Sequence, residues 1–153
     1  MLKPGFPVVT LWRSEVRVPV EVKVSVLENV KFSIQARSHT ILCDQPTDNH
    51  GTDSGMTPPE LMLASLGSCA AFYAVQFLKV RNLPDRGVEV TVTAEKLMQP
   101  ARLGNFRVFV EYPEPLTAQQ TEGMMRSVHH CLIHNTLLFP PQIKIEIAAR
   151  AVR

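Results

Sequence analysis

Cysteine is scarce in this sequence, with three in 153 residues. A small secreted scaffold held by disulfides carries more of them, in even number, so that class is excluded. Dense Lys/Arg runs are missing too. Sixteen basic and fourteen acidic side chains leave a formal net charge of +2. The basic residues near the start (Lys3, Arg13, Arg17, Lys23 and Lys31) are scattered among acids and valines. They read as solvated faces, and no nucleic-acid partner is expected. The opening "MLKPGFPVVTLWR" has no long apolar region and is cut by Pro4 and Pro7, which makes it a poor signal peptide. The expected compartment is the reducing cytoplasm, where a disulfide is transient and catalytic rather than structural. Also absent are a Gly-x-Ser-x-Gly nucleophile motif, a glycine-rich phosphate loop, internal repeats and low-complexity tracts.

With 45% hydrophobic and 20% charged residues, the composition is that of a globular domain. The length suits one domain over residues 1–153, with a core from residue 20 onward and an N-terminal arm or strand over 1–19. Residues 61–78, "LMLASLGSCAAFYAVQFL", carry no charge and approach the length of a bilayer span. Ser65, Ser68 and Gln76 interrupt them and strand patterns flank them. The expectation is a buried central helix, with no membrane partner.

Apolar/polar alternation predicts strands over 20–26, 31–37, 39–43, 88–93, 106–112 and 143–147. Gly104-Asn105 reads as part of a hairpin turn between the fourth and fifth of these. Residues 44–57, "DQPTDNHGTDSGMT", form a loop by composition, long enough to suggest a function. Thr57, followed by Pro58, Pro59 and Glu60, makes a capping box with proline in the first turn, so a helix starts there and runs to about residue 81. Thr117 opens a second helix. Met124, Met125, Val128, Cys131 and Leu132 fall on one of its faces. The order strands, long helix, strands, helix, strand is an α+β pattern, with antiparallel sheets packed on two helices.

Small residues surround Cys69 on the long helix: Ala64, Ser65, Gly67, Ser68, Ala70 and Ala71. Glycine inside a helix costs about 1 kcal/mol relative to alanine, so something offsets it. Close approach of another helix or backbone would do so; so would a channel leading to the thiol. Cys69 is thus either a packed core thiol or a presented one. A presented nucleophile needs a nearby arginine or charged histidine to favour its thiolate. Cys43, in a strand pattern, reads as core filler.

The stretch "HTILCDQPTDNHGTDSGMTPPELMLASLGSC" resembles the signature of the OsmC/Ohr family, the osmotically inducible protein C and organic hydroperoxide resistance proteins. It has the Asp-x-Pro loop, a Gly-containing stretch, a Pro-x-Glu-Leu start and a small-residue run ending in cysteine. "HHCLIHNTL" is similar to the family's second cysteine segment. The resemblance covers roughly residues 20–150 and lies closer to the less characterised OsmC-like branch. It implies an intertwined homodimer with active sites near the subunit interface. It also implies a two-cysteine peroxidase. Cys69 would attack a hydroperoxide and become a sulfenic acid, Cys131 would close a disulfide with it, and an external dithiol would reduce that disulfide. No cofactor is expected.

Some positions depart from the family pattern. Glu60 stands nine residues before Cys69, where the better-known branches place a glutamate ten before; here that position is Pro59. Glu60 either orients a cation or caps the helix. Arg37 is the candidate cation against the Cys69 thiolate, or else an ordinary exposed strand arginine. Leu132 replaces the usual proline after the second cysteine. Two rival readings come from other classes. His129, His130, Cys131 and His134 could begin a metal site, with Cys69 or Cys43 completing it; the simpler reading is a polar helix end, where charged histidine suits the helix dipole. The other rival is a non-catalytic binding protein that holds an apolar small molecule in the channel at Cys69.

Overall fold

A computed structural model describes residues 18–149. The expected arm over 1–19 therefore falls almost wholly outside the described residues.

Three strands come first: β1 (Lys23–Glu28), β2 (Lys31–Ala36) and β3 (His39–Cys43), an antiparallel meander in that order. The alternating residues at 20–22 extend the sequence pattern but not the strand. β1 pairs Lys23 with Gln35, and β2 ends at Ala36, so earlier residues run out of partner. Arg37 belongs to the turn rather than to β2. Ala36 pairs with His39, which leaves Arg37 and Ser38 as a two-residue connection, and Arg37 has φ of +55°.

The loop that follows is built around one carboxylate. Asp44 is fully buried. Its Oδ2 accepts from the Thr52 amide (3.0 Å) and hydroxyl (2.7 Å) and from the Ser54 amide (3.1 Å) and hydroxyl (2.8 Å). Its Oδ1 accepts from the Gln45 amide at 2.8 Å. A three-residue 3-10 turn, Thr47–Asn49, lies inside this loop. The Asp44 amide donates to the Met56 carbonyl at 3.3 Å, so the loop returns to the end of β3 just where the long helix begins.

That helix, α1 (Pro58–Val80), starts at the expected capping box. It buries Leu66, Gly67, Ala70, Ala74, Phe77 and Leu78. A Cβ on Gly67 would stand 3.1 Å from Val92 Cγ2, so β4 approaches the helix closely there. By length and composition α1 could cross a membrane. Its buried face instead packs on the second hairpin and on α2, and a side chain such as Leu78 gains about 1.5–3 kcal/mol from full burial.

β4 (Glu89–Met98) and β5 (Ala101–Glu111) form the second antiparallel sheet. Both are longer than the alternation indicated, because Gly104-Asn105 does not make the hairpin turn. Met98 pairs with Ala101, so the chain reverses at Gln99-Pro100. Gly104 and Asn105 lie at a β-bulge within β5, where the register shifts opposite residues 93–95 and Asn105 takes φ of +52°. The tolerance of positive φ that suits Gly-Asn to a turn serves equally well in a bulge. The Asn105 amide donates to Glu95 at 2.6 Å across it.

α2 (Ala118–His129) begins at Thr117, as expected, but ends before Cys131. A third helix, α3 (Leu132–Leu138), follows with Cys131 at its N-cap, so the described residues hold three α-helices rather than two. The expected strand over 143–147 does not form in this chain. Residues 140–149 pair with no strand among the described residues, and Ile143, Ile145 and Ile147 are 83%, 83% and 96% exposed. The core gathers Ala74, Phe77, Leu78 and Met124, closed by Leu83, Val88, Val110, Tyr112, Leu116 and Val128.

Burial alone would push the Asp44 pKa up; the bonds from Thr52, Ser54 and Gln45 outweigh it and hold the carboxyl far below the usual range. A depressed folded-state pKa contributes stability above the unfolded carboxylate pKa and loses it as pH falls toward the folded value. Asp44→Asn should therefore lower the melting temperature at neutral pH and flatten its acid dependence relative to the parent chain. Thermal melts of both proteins along an acid series check this.

Candidate active site

Cys69 lies in the middle of α1 and is half-buried; Cys131, at the junction of α2 and α3, is fully buried. The two meet. The Cys131 thiol has Cys69 as its neighbour, and the Cys131 Sγ accepts the His134 amide at 3.4 Å. Burial first, and then the neighbouring Cys69, push the Cys131 thiol above the ordinary cysteine range, against the opposing pull of the His134 amide. Cys131 is thus kept protonated beside the more accessible sulfur. Burial, with the nearby Asp44 charge, also raises the Cys43 thiol, at the far end of β3. A buried, protonated thiol of that kind is chemically quiet.

Neither charged candidate makes a hydrogen bond or ion pair with this pair among the described residues. Glu60 stands at the first turn of α1, where it accepts the Thr57 amide at 2.7 Å and the Thr57 hydroxyl at 2.8 Å. Those bonds lower its pKa, with Lys96 a minor contributor. Its visible work is the cap. Arg37 is exposed at the tip of the β2–β3 hairpin and makes no hydrogen bond or ion pair among the described residues.

A cavity of about 960 Å³ opens between α1, β5, α2 and α3. Met62, Leu66, Val108, Met124 and Leu137 give it an apolar wall, and Cys131, His129, His134 and Arg102 also reach it. His134 Nδ1 lies 3.4 Å from the His129 carbonyl oxygen, and the two rings are 5.2 Å apart. Among the described residues no three His, Cys, Asp or Glu side chains converge to hold a metal ion. Arg102 and Asp44 were not picked out by sequence reasoning. Arg102 falls before the alternation that marked β5. For Asp44, the usable signal was an acid at the start of a loop with Thr52 and Ser54 eight and ten residues on.

The burial order sets an order of reactivity. Alkylation of the reduced native protein at neutral pH should label Cys69 well before Cys131 and Cys43. Labelling of the latter two should rise only as pH passes above the ordinary thiol range, because their raised pKa values delay thiolate formation. Peptide mapping of alkylated sites from neutral to alkaline pH reads this directly; equal labelling of all three at neutral pH would contradict it.

Solved structures with this fold include a protein from Psychrobacter arcticus named for osmotic stress induction and detoxification (TM-score 0.71, 18% identity, 80% of this chain and 90% of that one). An OsmC-like protein from Mycoplasma pneumoniae aligns at TM-score 0.69 and 18% identity, over 79% of this chain and 88% of that one. The organic hydroperoxide resistance protein OhrB of Bacillus subtilis aligns at 0.54 and 16%, over 76% and 89%. No curated protein matches the sequence. The family model described as OsmC-like protein matches residues 51–146, a span that begins in the Asp44 loop, contains both Cys69 and Cys131, and takes in all three helices. The chain belongs to the OsmC-like protein family.

Proposed function

We propose that this protein is a thiol-dependent peroxidase that reduces organic hydroperoxides, and smaller peroxides such as hydrogen peroxide, through Cys69 and Cys131. The observation that carries the reading is the asymmetric pair: a half-exposed Cys69 beside a buried Cys131 whose thiol is held protonated. In the first step the Cys69 thiolate attacks the O–O bond, takes the terminal oxygen as a sulfenic acid, and releases an alkoxide that picks up a proton to leave as the alcohol. In the second, the Cys131 sulfur displaces the sulfenic oxygen. A disulfide forms, and the hydroxyl departs with the Cys131 proton as water. An external dithiol then reduces the disulfide by exchange in the cytoplasm. Keeping Cys131 protonated until a sulfenic acid appears leaves peroxide to the accessible sulfur.

The protein is further proposed to act as an intertwined homodimer. Its single chain leaves too much apolar surface open for a stable monomer. Phe72 on α1 is 56% exposed, β1 is exposed along its whole length, and the alternating isoleucines of 143–147 form a strand pattern without a neighbour. In such a dimer Arg37, at a hairpin tip, is the cation proposed to favour the Cys69 thiolate, with Glu60 fixing the start of the helix that carries it.

The apolar cavity supports a second reading, in which the protein binds a small apolar molecule beside Cys131 without turnover. One experiment separates the two. Reduced protein treated with one equivalent of an organic hydroperoxide should lose two hydrogens, mapped by mass spectrometry to a Cys69–Cys131 disulfide. With Cys131→Ser, a sulfenic acid should be trapped at Cys69. Thiols unmodified after minutes would remove the peroxidase reading and leave the binding one. Sedimentation at micromolar concentration should give twice the mass of one chain; a monomer would defeat the dimer.

A further inference from the structure

Three contacts join α1 to the segment carrying the second cysteine, and they lie one helical turn apart. Gly123 sits against Phe77: a Cβ there would stand 2.7 Å from Phe77 Cε2. Four residues on, the Ser127 hydroxyl donates to the Tyr73 carbonyl at 3.0 Å. After four more, Cys131 meets Cys69. From Gly123 to Ser127 the step forward along α2 is matched by an equal step back along α1, as antiparallel helices in fixed register require, and the chain just past α2 carries the match on to Cys131 and Cys69.

Two features show that this register is held rather than incidental. The Phe77 ring is only 4% exposed, and the Arg81 guanidinium covers it 3.8 Å from its centroid, so the ring has no room to retreat from Gly123. Ser127 also departs from the habit of helical hydroxyls, which bond back to a carbonyl of their own helix. Thr121, Thr136 and Ser68 do that here, to Thr117, Leu132 and Ser65. Ser127 reaches across to α1 instead.

The geometry points to Ser127, seated on the close contact at Gly123, as a positioning residue for disulfide closure; this rests on the peroxidase reading above. A slip of one residue along a helix displaces a side chain by about 1.5 Å and turns it by about 100°. That is enough to carry the Cys131 sulfur away from the Cys69 sulfenic acid it must attack. The S–S bond forms as the S–O bond breaks, and the hydroxyl leaves with the Cys131 proton as water.

The test follows the two steps separately in the full-length parent, Ser127→Ala, Ser127→Thr and Gly123→Ala, with circular dichroism confirming that each is folded. Reduced protein is mixed with an organic hydroperoxide, quenched at intervals, alkylated and mapped by mass spectrometry. In Ser127→Ala, sulfenic acid should appear at Cys69 at the parental rate while closure slows about three- to tenfold, the usual range for one lost hydrogen bond. Sulfinic acid at Cys69 should rise accordingly. Ser127→Thr, which keeps the hydroxyl, should restore closure, and Gly123→Ala should slow it whether or not Ser127→Ala folds. Closure at the parental rate in folded Ser127→Ala and Gly123→Ala overturns the inference. Diamide, which oxidises a thiol pair without peroxide, keeps the result separate from the peroxidase reading. If the parent forms no sulfenic acid but diamide closes the pair more slowly in the variants, the register holds and only the peroxidase reading fails. Equal diamide rates overturn the register as well.

Discussion

An uncharged helix has to be covered, and the rest of the molecule is arranged around that constraint. From Leu61 to Leu78, α1 offers no charge to water. One side of it is closed by β4, β5 and α2, through Gly67 against Val92 and through the cluster of Ala74, Phe77, Leu78 and Met124. Phe72 stays 56% exposed. Water around that remaining face is costly in proportion to its area. The proposed second copy of the chain relieves the cost, and it would offer an edge to the isoleucines at 143–147 in the same step.

Much of this was legible in the sequence because it depends on local signals. Thr57 and Glu60 marked the start of α1 to within a residue, since a capping box is a short-range hydrogen-bond pattern. Thr117 marked α2 in the same way, with Gln120 completing the box. The first hairpin was legible as well, apart from the bounds of β1, which starts at Lys23 and runs to Glu28 rather than spanning 20–26. The misreadings came where one local property serves two structures. Positive φ at Asn105 suits a bulge as well as a turn, and the face running from Met124 to Leu132 has helical spacing although the chain breaks at Cys131. The unpaired segment at 143–147 shows a third kind of gap: alternation reports a tendency, whereas a strand exists only where another chain segment supplies its hydrogen bonds.

The candidate site was half legible. Two cysteines in two separated motifs stood out, but their meeting did not follow from spacing. It depends on how α2 lies along α1, which is decided by contacts far apart in the sequence. Gly123 was invisible as a contact because a lone glycine in a helix pattern says only that something is close, not what. Ser127 was invisible because a helical serine has a ready partner in its own helix. Glu60 stood out through its place in the motif, yet its oxygen is occupied by Thr57. Position in a motif and engagement in a site are separate facts, and only the hydrogen bonds distinguish them.

The two sulfurs differ mainly in what surrounds them, and that difference is enough to give them different work. A thiol is a nucleophile only as a thiolate, and burial disfavours the charged form. Cys131, with no exposed surface and with its thiol raised above the ordinary range, is the poorer target for an incoming oxidant. It becomes useful only when an electrophilic sulfur appears beside it, because then no diffusion is needed and the reaction is intramolecular. Cys69, the less buried of the two, would in the proposed reaction be the sulfur an oxidant meets first. Cys43 supplies the internal comparison: it is as buried as Cys131 and its thiol is also raised, but the residues around it are the end of a strand and the Asp44 loop, with no second cysteine in contact. Burial by itself silences a thiol. Burial against another thiol reserves it for one partner, which is why the register of α1 and α2, rather than the pKa of either sulfur, is the property on which a two-cysteine reaction in this fold would turn.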